Sequence, residues 1–350
     1  MATNYANRKY RSGPQDIGFR NIITNGDMSI AQRGTSFTGL GNGDNGYHTV
    51  DRWLFYENAS TTAEYTMSQS TDVPTGQGFA KSLKMDCTTA QGSLAAGDGH
   101  RIAQKFEGQN LQYLKYGTSN AESTTVSFWV KSNKTGDYNV TLYNEDDVRI
   151  IGTVYTINSA NTWEKKTITF AGDTTGSFDN DNNSSLWIWF GLATGADLTG
   201  GDSSSWSSID NNEIFAGQTV NLADSTSNEW YITGVQLEAG TTASDFEFLP
   251  YDVNLQRCQR YYQDYTSENI FVMGKAYGTS TSGLRQTFPL KVSMRASPTY
   301  TASSESTGGS STNFAFSTTN NTELVTFNLT ASGGYESLYY RFKFTASAEL

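Results

Sequence analysis

Cysteine is nearly missing from this 350-residue chain. The two present, Cys87 and Cys258, lie far apart in unlike contexts. They make neither a disulfide framework nor the clustered spacing of a zinc site, which points to folding in a reducing cytoplasm. Proline is scarce too, at 5 residues against 33 glycines, a balance that suits turns rather than disorder. Charged residues are only 17%, too few for an intrinsically disordered chain. Positive charge is the smaller share: 24 Lys and Arg stand against 35 Asp and Glu, a formal net charge of −11. A nucleic-acid binder needs a basic face, so DNA and RNA are excluded as expected partners. No apolar run is long enough to span a bilayer. The opening MATNYANRKYRSG is followed by no apolar segment of the secretory kind, so neither membrane insertion nor a signal is expected.

Aromatic residues are plentiful at 13%, while hydrophobic residues as a whole are only 36%. Many rings with few aliphatics fit a thin β-sandwich, where large side chains fill the space between two sheets. The length exceeds what one core usually organises, so two domains are expected.

From residue 18 onward, apolar and polar residues alternate at period two, broken by Gly, Asn and Asp. In TTVSFWVKS (124–132), Val126, Phe128 and Val130 fall on one side. In HRIAQKFEG (100–108), Ile102 and Phe106 share a face. SSLWIWFGLA (184–193) is a near-continuous apolar run, which predicts a strand buried on both faces. Such segments, spaced by turns over some two hundred residues, predict a jelly roll. Long polar loops at 39–46, 175–185 and 199–213 exceed what hairpins need, and binding commonly resides in loops of that kind.

One stretch reads as a helix. In FLPYDVNLQRCQRYYQD (248–264), Pro250 stands outside, Asp252 is a good N-cap, and Leu255, Cys258 and Tyr262 recur at helical spacing. A helix over 252–264 is too short to be stable alone and is expected to pack on a domain or on its own copies. Strand signals resume after 270. The expected architecture is all-β: an arm over 1–17, an N-terminal jelly-roll β-sandwich over 18–250, a short linking helix over 251–266, and a smaller C-terminal β-sandwich over 267–350.

Three stretches belong together: NIITNGDMSIAQRGTSF (21–37) with VDRW (50–53); WYITGVQLEAGTTASDFEFLPYDVNLQRCQRYYQ (230–263); and TFPLKVSMRASPTYT (287–301). In that order and spacing they resemble structural proteins of tailed bacteriophages, particularly tail-fibre and tail-spike-like proteins. In those, a sandwich similar to carbohydrate-binding modules ends in such a segment and a small β domain follows. The resemblance covers nearly the whole chain beyond the arm. It implies a virion component, assembled in the host cytoplasm, that often binds host surface polysaccharide and often forms a homotrimer.

On that footing the arm, with Tyr5, Arg8, Lys9, Tyr10 and Arg11, is expected to dock on tail-tube, nozzle or capsid proteins. The stripe of Leu255, Cys258 and Tyr262 is expected to face a trimer axis or a neighbouring sandwich. TNGDMS also looks like the first strand of modules that hold a structural calcium, with Asp27 as a ligand. The last strand, however, carries Thr233 and Gly234 where acidic residues would stand, so no cofactor is expected. The rival readings are a capsid decoration or head-fibre protein and, further off, a glycan-degrading enzyme.

For catalysis the residues offer little. His48 and His100 read as solvated strand ends with no nucleophile beside them. A glycosidase needs two carboxylates at a set separation, and nothing singles out a pair among the loop acids. Sugar binding is the more reachable chemistry, because pyranose C–H faces stack on Trp and Tyr. Trp187 and Trp189 share one strand face, and Asn182 and Asn183 precede them. The same two tryptophans read even more readily as core. Trp206, in a serine-rich loop, is expected to be exposed and is the strongest single candidate.

Overall fold

The structure, a computed structural model, describes residues 19–59, 61–267, 270–276, 283–308, 311–316, 321–331 and 336–350. The arm residues Tyr5, Arg8, Lys9, Tyr10 and Arg11 lie outside them. Among the described residues the chain is all-β apart from one short α-helix and a few single helical turns, and it divides into two compact units, Met1–Leu249 and Pro250–Leu350.

The first unit is a jelly-roll sandwich of two antiparallel sheets. One runs in the order β1 (Ser36–Gly41), β4 (Glu64–Ser70), β5 (Ser82–Thr89), β13 (Glu229–Ala239), β7 (Thr124–Ser132) and β10 (Glu164–Phe170). The other runs β12 (Ser207–Ser208), β9 (Arg149–Ile157), β8 (Gly136–Asn144), β11 (Ser184–Thr194), β6 (Gly99–Glu107), β3 (Leu54–Glu57) and β2 (Gly46–Tyr47). Period-two alternation sends Val126, Phe128 and Val130 of β7, Ile102 and Phe106 of β6, and Leu186, Ile188 and Phe190 of β11 into one shared core with Trp53, Tyr138 and Trp230. Each large side chain buried this way contributes about 1.5–3 kcal/mol. Strand β11 is buried along nearly its whole length, as its apolar run predicts.

The stretches that carry the phage resemblance turn out to be scaffold. Strand β13 bulges at Gly234, whose φ of +61° glycine tolerates best and whose Cβ would sit 2.5 Å from the Phe79 ring. The opening segment docks at this bulge. The Val235 N–H donates to the Gly26 carbonyl, and the Asn21 side chain bridges the Val235 carbonyl and the Leu237 N–H. Asn25 ties the same segment to VDRW, accepting from the Trp53 indole and donating to the Asp51 carbonyl. Downstream, Gln236 accepts from the Glu247 N–H and donates to Glu238 and Ser244, so residues 244–247 are held against β13.

In the second unit, one sheet pairs β14 (Tyr262–Asp264), β15 (Ile270–Ala276) and β17 (Thr299–Gly308) with β20 (Glu336–Ser347). The other has the order β16 (Gly283–Pro289), β19 (Leu324–Ala331), β18 (Ser311–Phe316). Phe327, Phe344, Val325, Met294 and Tyr265 form its core. The helix α1 (Tyr251–Gln259) belongs to this unit and is shorter than the sequence spacing predicts. Residues 262–264, expected as its last turn, are strand instead. Their backbone pairs with Thr345–Ser347 of β20, and that ladder outcompetes helix continuation in an aromatic Tyr-Tyr run. Asp252 lies in the first helical turn, where its charge complements the dipole, and Pro250 takes the cap position. The stripe of Leu255, Cys258 and Tyr262 is therefore not one exposed helical face. Cys258 is buried, Tyr262 is a buried strand residue, and Leu255 is half-exposed. The third stretch staples this region: the Arg295 N–H donates to the Arg260 carbonyl, and Gln263 donates to the Val292 carbonyl.

Candidate functional site

The outer face of the seven-stranded sheet carries a second apolar cluster, separate from the inter-sheet core. Pairing register sets its layout. Lys105 of β6, Trp187 of β11 and Tyr143 of β8 lie in one row across three strands; Leu54, Ala103, Trp189 and Thr141 form the next; Tyr56 and Arg101 begin a third. Because each strand alternates, the residues that leave the core face must meet here.

The rings interlock. Trp187 and Trp189 stand edge to face at 6.1 Å, and Tyr143 lies 4.8 Å from Trp189 and 6.1 Å from Trp187. Tyr56 meets Trp187 edge-on at 6.2 Å. Two cations sit over these rings. The Lys105 ammonium is 3.8 Å from the Trp187 centroid, and the Arg101 guanidinium is 4.2 Å from Trp189 and 4.6 Å from Tyr56. The Trp187 indole N–H donates to Glu145 Oε2 at 2.7 Å, which fixes its ring.

The long segment after β11 folds down over part of this face. Phe215, Leu198 and Ile214 join the cluster, and Thr141 donates to the Ile214 carbonyl. Phe215 lies over Gly191, where a Cβ would come within 2.8 Å of its ring. The first row stays open. Lys105, Tyr143 and Tyr56 are half-exposed above a floor made by Trp187 and Trp189, which are 8% and 4% exposed. The open strip is thus a ring-lined surface with polar and cationic edges.

The structure sorts the sequence candidates. Trp187 and Trp189 lie on this face, neither in the inter-sheet core nor fully exposed. Trp206 is not an exposed loop residue: it packs on the core edge against Tyr116, with its indole donating to the Ala171 carbonyl at 2.7 Å. A ring in a polar loop found a core edge to cover, and it is half-buried there. Asn183 spends its side chain on Asp181, in the turn before β11. Asn182 is half-buried in the same turn. Asp27 accepts from the Ser29 N–H and hydroxyl in a tight turn. Among the described residues no three His, Cys, Asp or Glu side chains converge as metal ligands.

The histidines differ from expectation. His100 is fully buried, its Nδ1 bonded to the Tyr65 hydroxyl at 2.8 Å and its Nε2 to Thr61 at 3.0 Å. Burial pulls its pKa down to about 4. His48 stacks on Phe37 and lies 3.6 Å from Asp44.

Another ring cluster lies on the opposite sheet, where Trp163 meets Tyr231 at 6.1 Å. Its cations are all neutralised: Lys84 pairs with Glu229 at 2.6 Å, and Lys131 pairs with Asp72.

No protein-family model and no curated protein matches the chain. Solved structures similar to it include the enzymatically active domain of bacteriophage CBA120 tailspike protein 4, with 12% identity and a TM-score of 0.33 over 63% of this chain. That match takes in only 21% of the tailspike chain. Also similar are the family 11 carbohydrate-binding module of a cellulosomal cellulase of Clostridium thermocellum (11% identity, TM-score 0.30, 59% of this chain and 95% of that one) and a family 61 module, TmCBM61, in complex with β-1,4-galactotriose (9%, 0.31, 63% and 99%).

Proposed function

We propose that the chain binds a glycan on the open strip of the seven-stranded sheet, and that it does so as a tail-fibre-like protein of a phage virion. The observation that carries the first part is the row Lys105–Trp187–Tyr143 with Tyr56 beside it, rings held rigid by register, by stacking and by the Glu145 bond. Sugar C–H faces stack on such rings while hydroxyls take the polar edges, and a preformed rigid surface loses little entropy on binding. The virion role rests on the sequence resemblance, as do the homotrimer and the docking arm. Binding without cleavage is the favoured chemistry. Glu145 is the carboxylate hydrogen-bonded to a ring of this cluster among the described residues, whereas glycoside hydrolysis uses a pair.

The test is titration of host surface polysaccharide fragments into the full chain and into Tyr143→Ala. Tyr143 is half-exposed, so its removal spares the fold. Binding is expected to weaken by about tenfold or more, the usual loss for an aromatic anchor. Equal affinity in the two proteins would move the site elsewhere, with the Trp163–Tyr231 cluster as the next place to look. New reducing ends in the same mixtures would turn the reading toward an enzyme.

A further inference from the structure

We propose that this face selects anionic sugar units, those bearing a carboxylate or a sulfate ester, and that Arg101 is the charge that reads them; the inference rests on the glycan-binding reading above. Arg101 is 5% exposed, held among Tyr56, Trp189 and Phe215. Its Nη2 donates to Asn58, while Nε and Nη1 have no acceptor, and neither does the neighbouring Trp189 indole N–H. Burial lowers its pKa to about 10, so it stays a cation at neutral pH, and the groups that favour its charge are the hydroxyls of Tyr56, which hydrogen-bonds to it, and Tyr143. Buried cations are ordinarily paired, as several cations of this chain are: Arg149 sits 2.7 Å from Asp173, Lys84 pairs with Glu229, and Lys131 with Asp72. In a protein of net charge −11, Arg101 thus lies beneath the open aromatic strip among rings and the Asn58 amide.

Two consequences follow physically. Orphaned buried donors are costly and call for an acceptor. A charge held in apolar surroundings also acts over several ångströms, so the arginine favours an anion on the strip without touching it. Lys105 places a second positive group on the first row. Glu145, on the far side of Trp187, is the opposing charge, and its Oε2 is taken by the indole N–H. The guanidinium suits both carboxylate and sulfate oxygens.

The test uses the full chain and a panel of bacterial surface polysaccharides bearing uronic acid or sulfate. Each is paired with its own carboxyl-reduced or desulfated form, and both are titrated at low and at raised salt. Within pairs that bind, the charged member is expected to bind about tenfold tighter or more, with the gap shrinking as salt rises. Arg101→Gln should bring the two members within about twofold, and Arg101→Lys, which keeps the charge, should retain most of the gap. The preference is read first on the unaltered chain, so it does not depend on how either variant folds. Equal binding of both members, still weakened by Tyr143→Ala, would overturn this inference and leave the glycan site standing. Binding to no member would overturn both.

Discussion

His100 and Trp206 show what single side chains contribute once the fold encloses them. The imidazole of His100 is buried as the neutral form, with its pKa near 4 against the ordinary 6.5. The unfolded chain therefore takes up the proton first as pH falls. This group's contribution is fully present above pH 6.5 and is lost progressively down to about 4, a cost of about 3 kcal/mol in all. Urea unfolding at pH 7 and pH 4.5 checks this. His100→Gln should be less stable than the unaltered chain at pH 7 yet lose less on acidification; an unchanged acid sensitivity would count against the account. Trp206→Ala should lower the melting temperature, because the ring covers the core edge beside Tyr116, while leaving glycan affinity unchanged. Both residues were misread in the sequence for the same reason. Nothing in the local pattern around a loop tryptophan or a strand-end histidine shows which distant rings will close over it.

Strands and their alternation carried most of what the sequence could reveal. The core parity of Val126, Phe128 and Val130 was legible, and so was that of Ile102 and Phe106. The same arithmetic, applied to the opposite parity, holds the site. Arg101 and Lys105, like Ala103 between them, are residues of HRIAQKFEG that face away from Ile102 and Phe106, and Tyr143 and Tyr56 fall on the same side of their strands. What the sequence could not supply was strand order, since only the fold sets β11 between β6 and β8 and so lines Lys105, Trp187 and Tyr143 into one row. Helix length was illegible for a similar reason: the partner of Tyr262–Asp264 lies some eighty residues away. The resembling motifs were visible as motifs, but their work is to staple elements together. Gln236→Leu should therefore free residues 244–247 from β13. Hydrogen exchange at the Glu247 amide, now bonded to the Gln236 side-chain Oε1, is expected to quicken by about tenfold, the rate change for one lost buried hydrogen bond. An unaltered rate would mean the staple is redundant.

For the molecule as a whole, a rigid sandwich whose outer sheet face presents fixed rings is the claim on which function turns, with virion attachment and trimer assembly as separate proposals. Sedimentation of the purified chain bears on assembly, where a single species at three times the monomer mass is expected. The glycan face is tested most directly by fluorine NMR of the full chain labelled with fluorotryptophan, which gives one signal for each of its seven tryptophans. On saturation with a bound oligosaccharide, the signals of Trp187 and Trp189 are predicted to shift while that of Trp206 stays in place. Movement of Trp206 or Trp163 with Trp187 and Trp189 silent would contradict the account.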